Sequence, residues 1–561
     1  MIKMIQRLDF ENVYPEEVPE ELIEYLKKVS GETLFKMIGF CSTNPKINFD
    51  NFFSNPDISK EIYERVVEYS RKNEIENKPE VISTYASLKL AEHILANKET
   101  LKDNKFTSVD DDELNIFKSF LLVNSELNGR ERLDNLDFNN FEKLVDLNLV
   151  FLFPPSDLAI SEDNNYDFLK LVYSTIYKVE ILFAFLNSSP DFSDLKNQFI
   201  DSFNVVDEKE FLYQMKYLFG QLLQSKISNN YSFEITDDSS LAFLMSMTSE
   251  DIEVDEDFTH IKNSPIYFLN KKVFSIVNYF FVVDKFYKST KFKLKKIYET
   301  LNPLVTKYGN FFGFFNKHFS ENVLMKNVLD SIYHKKYYIK KTESNYELDG
   351  EPDYYVRHNK TIYLFENKDV LVAKSIKSSS DIEQINDYLK TRFFIDGTKA
   401  IGIGQLINSI EEIFMKKFRF DNFINSKDTF EIFPILIIQD RIFQTPGINY
   451  RLNKWFVEEL NKRLGKFNLQ RVRALTIIDI DTLITWQPYL AKKDKHFKEI
   501  LVDHLHRMQT HKKVDTLDRK EGILRVNKNL TEQIRSISSR VIPFSIDKSE
   551  LLNKFKDIIK E

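Results

Sequence analysis

The sequence predicts an α/β protein in which a mixed sheet flanked by helices follows a large, mostly α-helical N-terminal region. Residues 1 to about 300 repeat apolar side chains at three-and-four spacing, which is the pattern of amphipathic helices. After about residue 335, short β-branched and aromatic runs alternate with helical patterns, which is typical of a sheet covered by helices. A chain of 561 residues is too long for one core, so we expect several domains.

The helical pattern is clearest in three segments, which begin at Pro19, Lys60 and Phe168. Turn-rich and acidic breaks separate such segments, and no fixed repeat period is present, so the pattern does not predict a solenoid. We assign residues 1–300 to a helical region with a regulatory or interaction role.

Five runs in the second half have the length and composition of strands. They begin at Tyr337, Tyr354, Thr361, Ile432 and Ala474. The second and third runs, 354–356 and 361–368, are joined by a short polar turn and predict a hairpin. We assign residues 301–490 to the α/β domain and residues 491–561 to a basic helical extension.

Composition and charge narrow the function classes. The net charge of −7 excludes a surface that is basic throughout. It does not exclude nucleic-acid binding, which depends on where the charge lies. Cys41 is the only cysteine, so an internal disulfide and a thiolate zinc cluster are excluded, as suits a reducing cytosol. The N-terminus shows no signal-peptide pattern, and the apolar run 273–283 is too short to span a bilayer. We expect a cytoplasmic protein without a membrane partner.

Charged residues at the end of one predicted strand carry the chemistry. Glu366 and Lys368 are two residues apart, so they share one face of the sheet, and Asp353 begins the neighbouring strand. Such charges are costly at the end of an apolar strand unless they serve each other or a metal. Asp353 and Glu366 are therefore candidate ligands for Mg²⁺ or Mn²⁺, which prefer carboxylate oxygens. Lys368 would orient an attacking water and offset charge on a phosphate.

The arrangement resembles the motif of the PD-(D/E)XK nuclease superfamily, which has the restriction-endonuclease-like fold. A Pro-Asp pair ending at Asp353 is followed, after 12 intervening residues, by Glu366-Asn-Lys368. The resemblance covers roughly residues 310–440. It implies a metal-dependent endonuclease that hydrolyses phosphodiester bonds, with DNA favoured over RNA as the nucleic-acid substrate.

The resemblance also implies two supporting residues. The superfamily places a helix bearing a glutamate before the hairpin; the segment starting at Phe319 fits that helix, and Glu321 is its candidate metal ligand. RecB-like members add a glutamine helix after the lysine strand. Gln384, four residues before Tyr388, has that spacing and is assigned to the site, with Gln405 as its competitor.

The bare motif is weakly specific, because two other copies occur at tolerable spacing. Asp57 precedes a Glu-Asn-Lys run ending at Lys78, and Asp191 precedes an Asp-Glu-Lys run ending at Lys209. Neither copy has a predicted hairpin. The alternative for the site at Asp353 is a surface hairpin with an ordinary salt bridge.

Two basic segments permit several interpretations. The run 285–296 either borders a nucleic-acid groove or forms an amphipathic helix with a basic outer face. The segment 491–540 holds 13 Lys or Arg against 7 Asp or Glu. It is interpreted as a solvated helix or a phosphate contact. Four of the nine histidines lie there, at spacings that match no common zinc pattern.

The expected setting is an effector of prokaryotic anti-phage defence, or a restriction enzyme, controlled by a protein partner, by homo-oligomer formation or by residues 1–300. The first alternative is a catalytically silent nuclease fold that binds nucleic acid or protein. The second is a helical scaffold in which the motif is accidental. The sequence leaves open strand polarity, DNA against RNA, sequence preference, trigger and oligomeric state.

Overall fold

The computed structural model describes most of the chain. The described residues are 7–39, 47–75, 78–130, 141–154, 165–228, 230–248, 251–270, 272–342, 352–377, 379, 381–426, 429–509, 533–539 and 553. Within these ranges the protein is mixed α/β, with a helical N-terminal region followed by a five-stranded mixed sheet, as predicted. No helix in these ranges is long and apolar enough to cross a bilayer.

The described strands form three sheets. They are β1 (Ser232–Glu234), β2 (Ile266–Asn270), β3 (Val273–Ile276), β4 (Ile339–Thr342), β5 (Tyr354–His358), β6 (Thr361–Lys368), β7 (Ile395–Asp396), β8 (Lys399–Ala400), β9 (Glu431–Ile438) and β10 (Thr476–Asp479). The central sheet has the order β10-β9-β6-β5-β4. In it, β10, β9 and β6 run parallel to one another, β5 is antiparallel to β6, and β4 is antiparallel to β5. The order β1-β3-β2 and the pair β7-β8 make up the smaller sheets.

Short helices pack around one core in the first part of the chain. They are α1 (Phe10–Val13), α2 (Leu22–Lys27), α3 (Gly31–Met37), α4 (Pro56–Lys72), α5 (Thr84–Ala96), α6 (Lys98–Leu101) and α7 (Val109–Arg130). Their buried side chains form one cluster that runs from Leu8 to Leu127 and also includes Val277 and Phe281. Side chains such as Asn55 and Ser83 accept hydrogen bonds from first-turn N–H groups and so define where helices begin.

The middle of the chain adds helices before the hairpin. They are α8 (Phe141–Leu152), α9 (Asn165–Leu186), α10 (Ser193–Asp201), α11 (Glu208–Ser228), α12 (Asp238–Met245), α13 (Thr259–Asn263), α14 (Tyr279–Lys285), α15 (Thr290–Tyr298), α16 (Asn302–Tyr308), α17 (Phe311–Phe314), a π-helix (Phe315–Met325) and α18 (Lys326–Ile332). The predicted helix bearing Glu321 is present, but its first part is a π-helix. Such helices are rare and often mark functional sites.

The remaining helices follow the hairpin. They are α19 (Lys374–Lys377), α20 (Ile382–Phe393), α21 (Ile403–Phe414), α22 (Asn422–Asn425), α23 (Ile448–Leu464), α24 (Ile480–Lys492) and α25 (His496–Gln509). Four 3₁₀ turns complete the described elements: Pro190–Phe192, Arg441–Gln444, Leu469–Arg471 and Ile537–Ser539.

Both faces of the central sheet are covered. Tyr363 and Phe365 of β6 join a core that includes side chains of α9, the π-helix and α24. The alternate residues Ile362 and Leu364 join a second core with α20, α21 and α23. Because β6 is covered on both faces, its apolar run is nearly continuous, as in other buried parallel strands. The predicted boundary near residue 300 stays a prediction, and side chains from both sides of it share the first core.

The predicted hairpin is confirmed as the pair β5–β6. Tyr354 pairs with Phe365 and His358 pairs with Thr361, so only two residues remain in the turn. Asn359 takes φ +53°, a left-handed conformation that asparagine tolerates better than most residues.

Two lysines of the basic run 285–296 point inward. Lys288 Nζ lies 2.9 Å from Asp440, and Lys291 Nζ lies 2.6 Å from Asp369. The Lys291 side chain is only 6% exposed. The amphipathic-helix interpretation with a basic outer face is therefore wrong for these lysines, because buried aspartates neutralise them.

Two further lysines of this run are held in apolar surroundings. Lys293 Nζ donates to Ser202 O and lies 3.9 Å from the centre of the Phe203 ring. Burial, reinforced by neighbouring lysines, lowers the pKa of both Lys285 and Lys293 to about 8. A cation with a lowered pKa costs stability below that pKa, because the unfolded chain binds the proton more tightly.

We therefore expect the free energy of unfolding to contain a component that rises from about pH 8 towards pH 10. There the unfolded state binds more protons than the folded state, and each such group adds a slope of up to about 1.4 kcal/mol per pH unit. Lys285→Met should reduce this slope and stabilise the protein at pH 7. Urea unfolding across pH 7–10 measures both effects. Lys295→Met, at an exposed position on α15, is the control, and an equal loss of slope in both variants would contradict the assignment.

Candidate active site

Asp353, Glu366 and Lys368 lie together at the edge of the sheet where β6 ends. Asp353 directly precedes β5, and its Oδ2 accepts a 2.7 Å hydrogen bond from the backbone N–H of Asn367. Lys368 Nζ lies 3.5 Å from Glu366 Oε2. The antiparallel pairing of β5 with β6 thus joins the three side chains that the motif singled out, while their chemical role stays a prediction.

The site is buried and its charges are coupled. Asp353 is 5% exposed and Glu366 is 0% exposed. Burial raises the pKa of Asp353, although the Lys368 charge, the Asn367 N–H and a hydrogen bond with Glu366 act against that rise. Burial alone would lower the pKa of Lys368, but the negative charges of Glu366, Asp353 and Glu321 raise it. Lys368 therefore keeps its proton at neutral pH. Its positive charge offsets the negative charges of the two buried carboxylates, Asp353 and Glu366.

Glu321 lies close enough to act on this site electrostatically. It sits on the π-helix, next to Ser320, whose Oγ is 3.4 Å from Asn367 Nδ2. Within the described ranges, however, no group of three or more His, Cys, Asp or Glu side chains is arranged to hold a metal ion. Glu321 acts on Lys368 through its charge, and its role as a metal ligand stays a prediction, as does that of Asp353 and Glu366.

The two glutamine candidates occupy different places. Gln405, on α21, accepts hydrogen bonds from Lys368 Nζ at 3.1 Å and from the Gly402 N–H at 2.8 Å. Gln384 is exposed on α20, and its Nε2 donates to Asp381 at 3.0 Å, within the cap of its own helix. The structure thus brings Gln405 to the site and leaves Gln384 outside it.

Gly402 is required by the close approach of α21 to the strand end. Its φ is +49°, and a Cβ atom there would lie 2.9 Å from Phe393 O and 3.1 Å from Lys368 Cε. A side chain would be strained by the backbone conformation and would also press against the lysine. This glycine therefore permits the Gln405–Lys368 contact.

A second set of polar groups lies behind the strand end, on the opposite face. Asn367 Oδ1 accepts a 2.8 Å hydrogen bond from Gln439 Nε2, and Asn316 Nδ2 donates to Asp369 O at 3.0 Å. The motif search missed these residues, although alternation along β6 places Asn367 opposite Glu366. Gln439 directly follows β9, so the alignment of parallel strand ends was the signal that could have found it.

Two of the C-terminal histidines make packing contacts within the fold. His504 is buried with Nε2 3.4 Å from Asn449 Oδ1, and His496 stacks on Tyr489 at 4.1 Å. His511 lies outside the described residues. The described residues 533–539 fold back onto the domain: the Gly447 N–H donates to Ile534 O beside α23, and the backbone N–H of Asp479, in β10, donates to Ser538 Oγ at 3.5 Å.

Among the described residues, neither decoy copy of the motif lies on a hairpin, and Glu76 of the first copy lies outside those residues. Asp57 lies in the first turn of α4, and Lys78 pairs with Asp50 on the surface. Asp191 lies in a 3₁₀ turn and pairs with Lys307. The copy at Asp353 brings its acidic residues and its lysine together at a strand end.

Comparisons of the chain with protein-family models, curated proteins and solved structures found no match.

The glutamine assignment can be tested without an activity assay. Gln405→Ala removes the acceptor shared by Lys368 and Gly402, so it should lower the free energy of unfolding by about 1–3 kcal/mol. Gln384→Ala, at an exposed position, is the matched control and should cost less than about 1 kcal/mol. Urea unfolding at pH 7 measures both. A larger loss for the Gln384 variant would reverse the assignment.

Proposed function

We propose that the protein is a metal-dependent endonuclease of the PD-(D/E)XK type. The observation that carries this proposal is the convergence of Asp353, Glu366 and Lys368 at the end of one buried strand. A salt bridge on a surface hairpin would leave both partners exposed. Here Glu366 is fully buried and Asp353 is nearly so, which is costly without a chemical reason.

The surrounding fold supports a restriction-endonuclease-like core. The antiparallel hairpin β5–β6 continues into the parallel pair β6–β9, and helices cover both faces of the sheet. The helix bearing Glu321 precedes the hairpin and α21 with Gln405 follows it, in the order that the resemblance implies.

The donor set suits Mg²⁺ or Mn²⁺. Mg²⁺ is commonly bound through one or two carboxylates, with water and substrate phosphate as its other ligands, and Asp353 and Glu366 supply such a pair. A bound divalent cation supplies an acidified water and polarises a phosphodiester oxygen. Lys368, protonated and held by Gln405, would position the attacking water and offset charge that develops on the phosphate. Asn367 fixes Asp353 through its backbone N–H.

The substrate and the biological setting are proposed in broad terms. DNA is placed ahead of RNA on the resemblance to the superfamily. The described part of residues 1–300 is mostly helical and supplies none of Asp353, Glu366, Lys368 and Gln405. We propose that residues 1–300 regulate the site, alone or with a protein partner, in anti-phage defence or restriction. The competing function is a nuclease fold that binds nucleic acid or protein without cutting.

Cleavage of plasmid, linear and single-stranded DNA and of RNA tests the activity. We expect cutting with Mg²⁺ or Mn²⁺, none with EDTA, and a loss of at least about 100-fold in Lys368→Ala. Lys78→Ala, which alters the lysine of a decoy motif, should cut like the unaltered protein. Cutting that persists in Lys368→Ala would show that other residues carry the chemistry. Substrate binding without cutting would favour the silent module.

Metal binding can be measured separately from cutting. The raised pKa of Asp353 means that its ionised form costs stability as the pH rises through that value, so a neutral side chain is tolerated at pH 7. We expect Mn²⁺ to raise the melting temperature of the unaltered protein. Asp353→Asn should keep or raise the metal-free melting temperature and lose the Mn²⁺ effect. Asp57→Asn is the decoy control; an unchanged Mn²⁺ shift in Asp353→Asn would place the metal elsewhere.

A further inference from the structure

A polar pocket lies at the same edge of the sheet as Asp353 but on the opposite face. It is a small pocket that opens to solvent. Its walls come from α9, from the stretch between the end of α14 and the start of α15, from the first turn of α24, and from the residues that follow β9 and β6. Its lining includes Lys178, Tyr287, Lys288, Lys291, Gln439 and Arg441.

Ion pairs form a rigid frame around this pocket. Lys178 Nζ lies 2.7 Å from Asp481 Oδ1, and both Arg441 terminal nitrogens contact Asp284 at 2.7 Å. Lys288 and Lys291 are held by the aspartates described above. The four cations are balanced by three lining carboxylates and by Asp369, which pairs with Lys291. Each ammonium carries three N–H donors. The frame therefore presents fixed hydrogen-bond donors to an anion without a large repulsion between its own charges.

Two buried polar groups of the wall lack a partner in the described part of the chain. These are the hydroxyl of Tyr287, which is 4% exposed, and Oε1 of Gln439, which is 7% exposed. A buried polar group without a hydrogen bond costs about 1–3 kcal/mol, so an occupant that satisfies both groups would recover that loss. The Tyr287 ring is held between Lys178 and Lys291, whose Nζ atoms lie 4.2 and 5.2 Å from its centre.

The two groups need opposite hydrogen-bond partners: one needs an acceptor and the other needs a donor. Burial and the charges of Asp369 and Asp481 raise the pKa of Tyr287, so its hydroxyl keeps its proton and donates. Gln439 Nε2 is already used by Asn367, so the remaining Gln439 oxygen accepts. The occupant must offer an acceptor to Tyr287 and the lysines and a donor to Gln439.

We propose that this pocket binds a protonated phosphate group, with inorganic phosphate as its simplest form. The P–O⁻ oxygens accept from Tyr287 and from cationic N–H groups, and the P–OH donates to Gln439 Oε1. Sulfate has the same shape but carries no proton at neutral pH, so the Gln439 oxygen rejects it. A phosphomonoester meets the requirement only in its monoanionic form, below a pKa of about 6.

Pocket residues contact the immediate sequence neighbours of Glu366 and Lys368 in the candidate active site. Gln439 bonds the side chain of Asn367, whose backbone N–H holds Asp353, and Lys291 holds Asp369, which follows Lys368. Phosphate binding is nevertheless independent of the proposed nuclease activity, and it is measured without a nucleic-acid substrate.

Calorimetry and thermal unfolding of the full chain at pH 7.5 test the proposal with sodium phosphate, sodium sulfate and adenosine 5′-monophosphate, each against sodium chloride of equal ionic strength. Adenosine 5′-monophosphate is repeated at pH 5.5. We expect a melting-temperature rise and measurable binding heat with phosphate, and neither with sulfate. Binding of the nucleotide at pH 5.5 in place of phosphate would assign the pocket to phosphomonoesters and still support it. Equal effects of phosphate and sulfate, or no effect of either phosphate source, would overturn the proposal.

Tyr287→Phe separates binding from folding. It removes only the partnerless hydroxyl, so the ligand-free variant should be at least as stable as the unaltered protein, while phosphate affinity should fall by at least about tenfold. Tyr333→Phe is the matched control. Its hydroxyl is also buried without a partner in the described ranges, but it does not line the pocket. The control should keep the phosphate response. A response retained in Tyr287→Phe would refute the site.

Discussion

The parallel pairing of β6 with β9 is the constraint on which the rest of the structure depends. It runs in register from Thr361 opposite Glu431 to Lys368 opposite Ile438, so both strands end at one level of the sheet. Polar residues that follow apolar strands therefore meet there: Lys368 and Asp369 from one strand, and Gln439 and Asp440 from the next. The candidate active site and the phosphate pocket are the two faces of this common edge.

The fold class, the hairpin and the acid–lysine set could be predicted because they follow from local periodicity. Alternation along β6 separates Glu366 from Asn367 in any sheet, and apolar runs identify strands whatever lies around them. The choice of Gln405 over Gln384 could not be predicted, because it depends on how α21 approaches the strand. Both glutamines begin helices in the sequence, and only the packing permitted by Gly402 distinguishes them.

The inward orientation of Lys288 and Lys291 could not be predicted for a related reason. The run of lysines beginning at Lys285 has the composition of a solvated helix face, and the aspartates that neutralise it are distant in sequence. Asp369 and Asp440 are supplied by strand ends about 80 and 150 residues later, as the pairs with Lys291 and Lys288 show. The net charge of a segment does not reveal such long-range pairing. A basic run therefore predicts a nucleic-acid surface only where no distant acidic residues pair with its lysines.

The π-helix before the hairpin makes the strand end sensitive to chain length. Asn316 and Ser320 both contact residues at the end of β6 and are four positions apart in a helix wound more widely than an α-helix. Deleting one residue between 315 and 325 would allow an ordinary α-helix to form and would rotate the preceding turn by about 100°. Length variation in related chains should therefore be concentrated in loops and be rare in this segment.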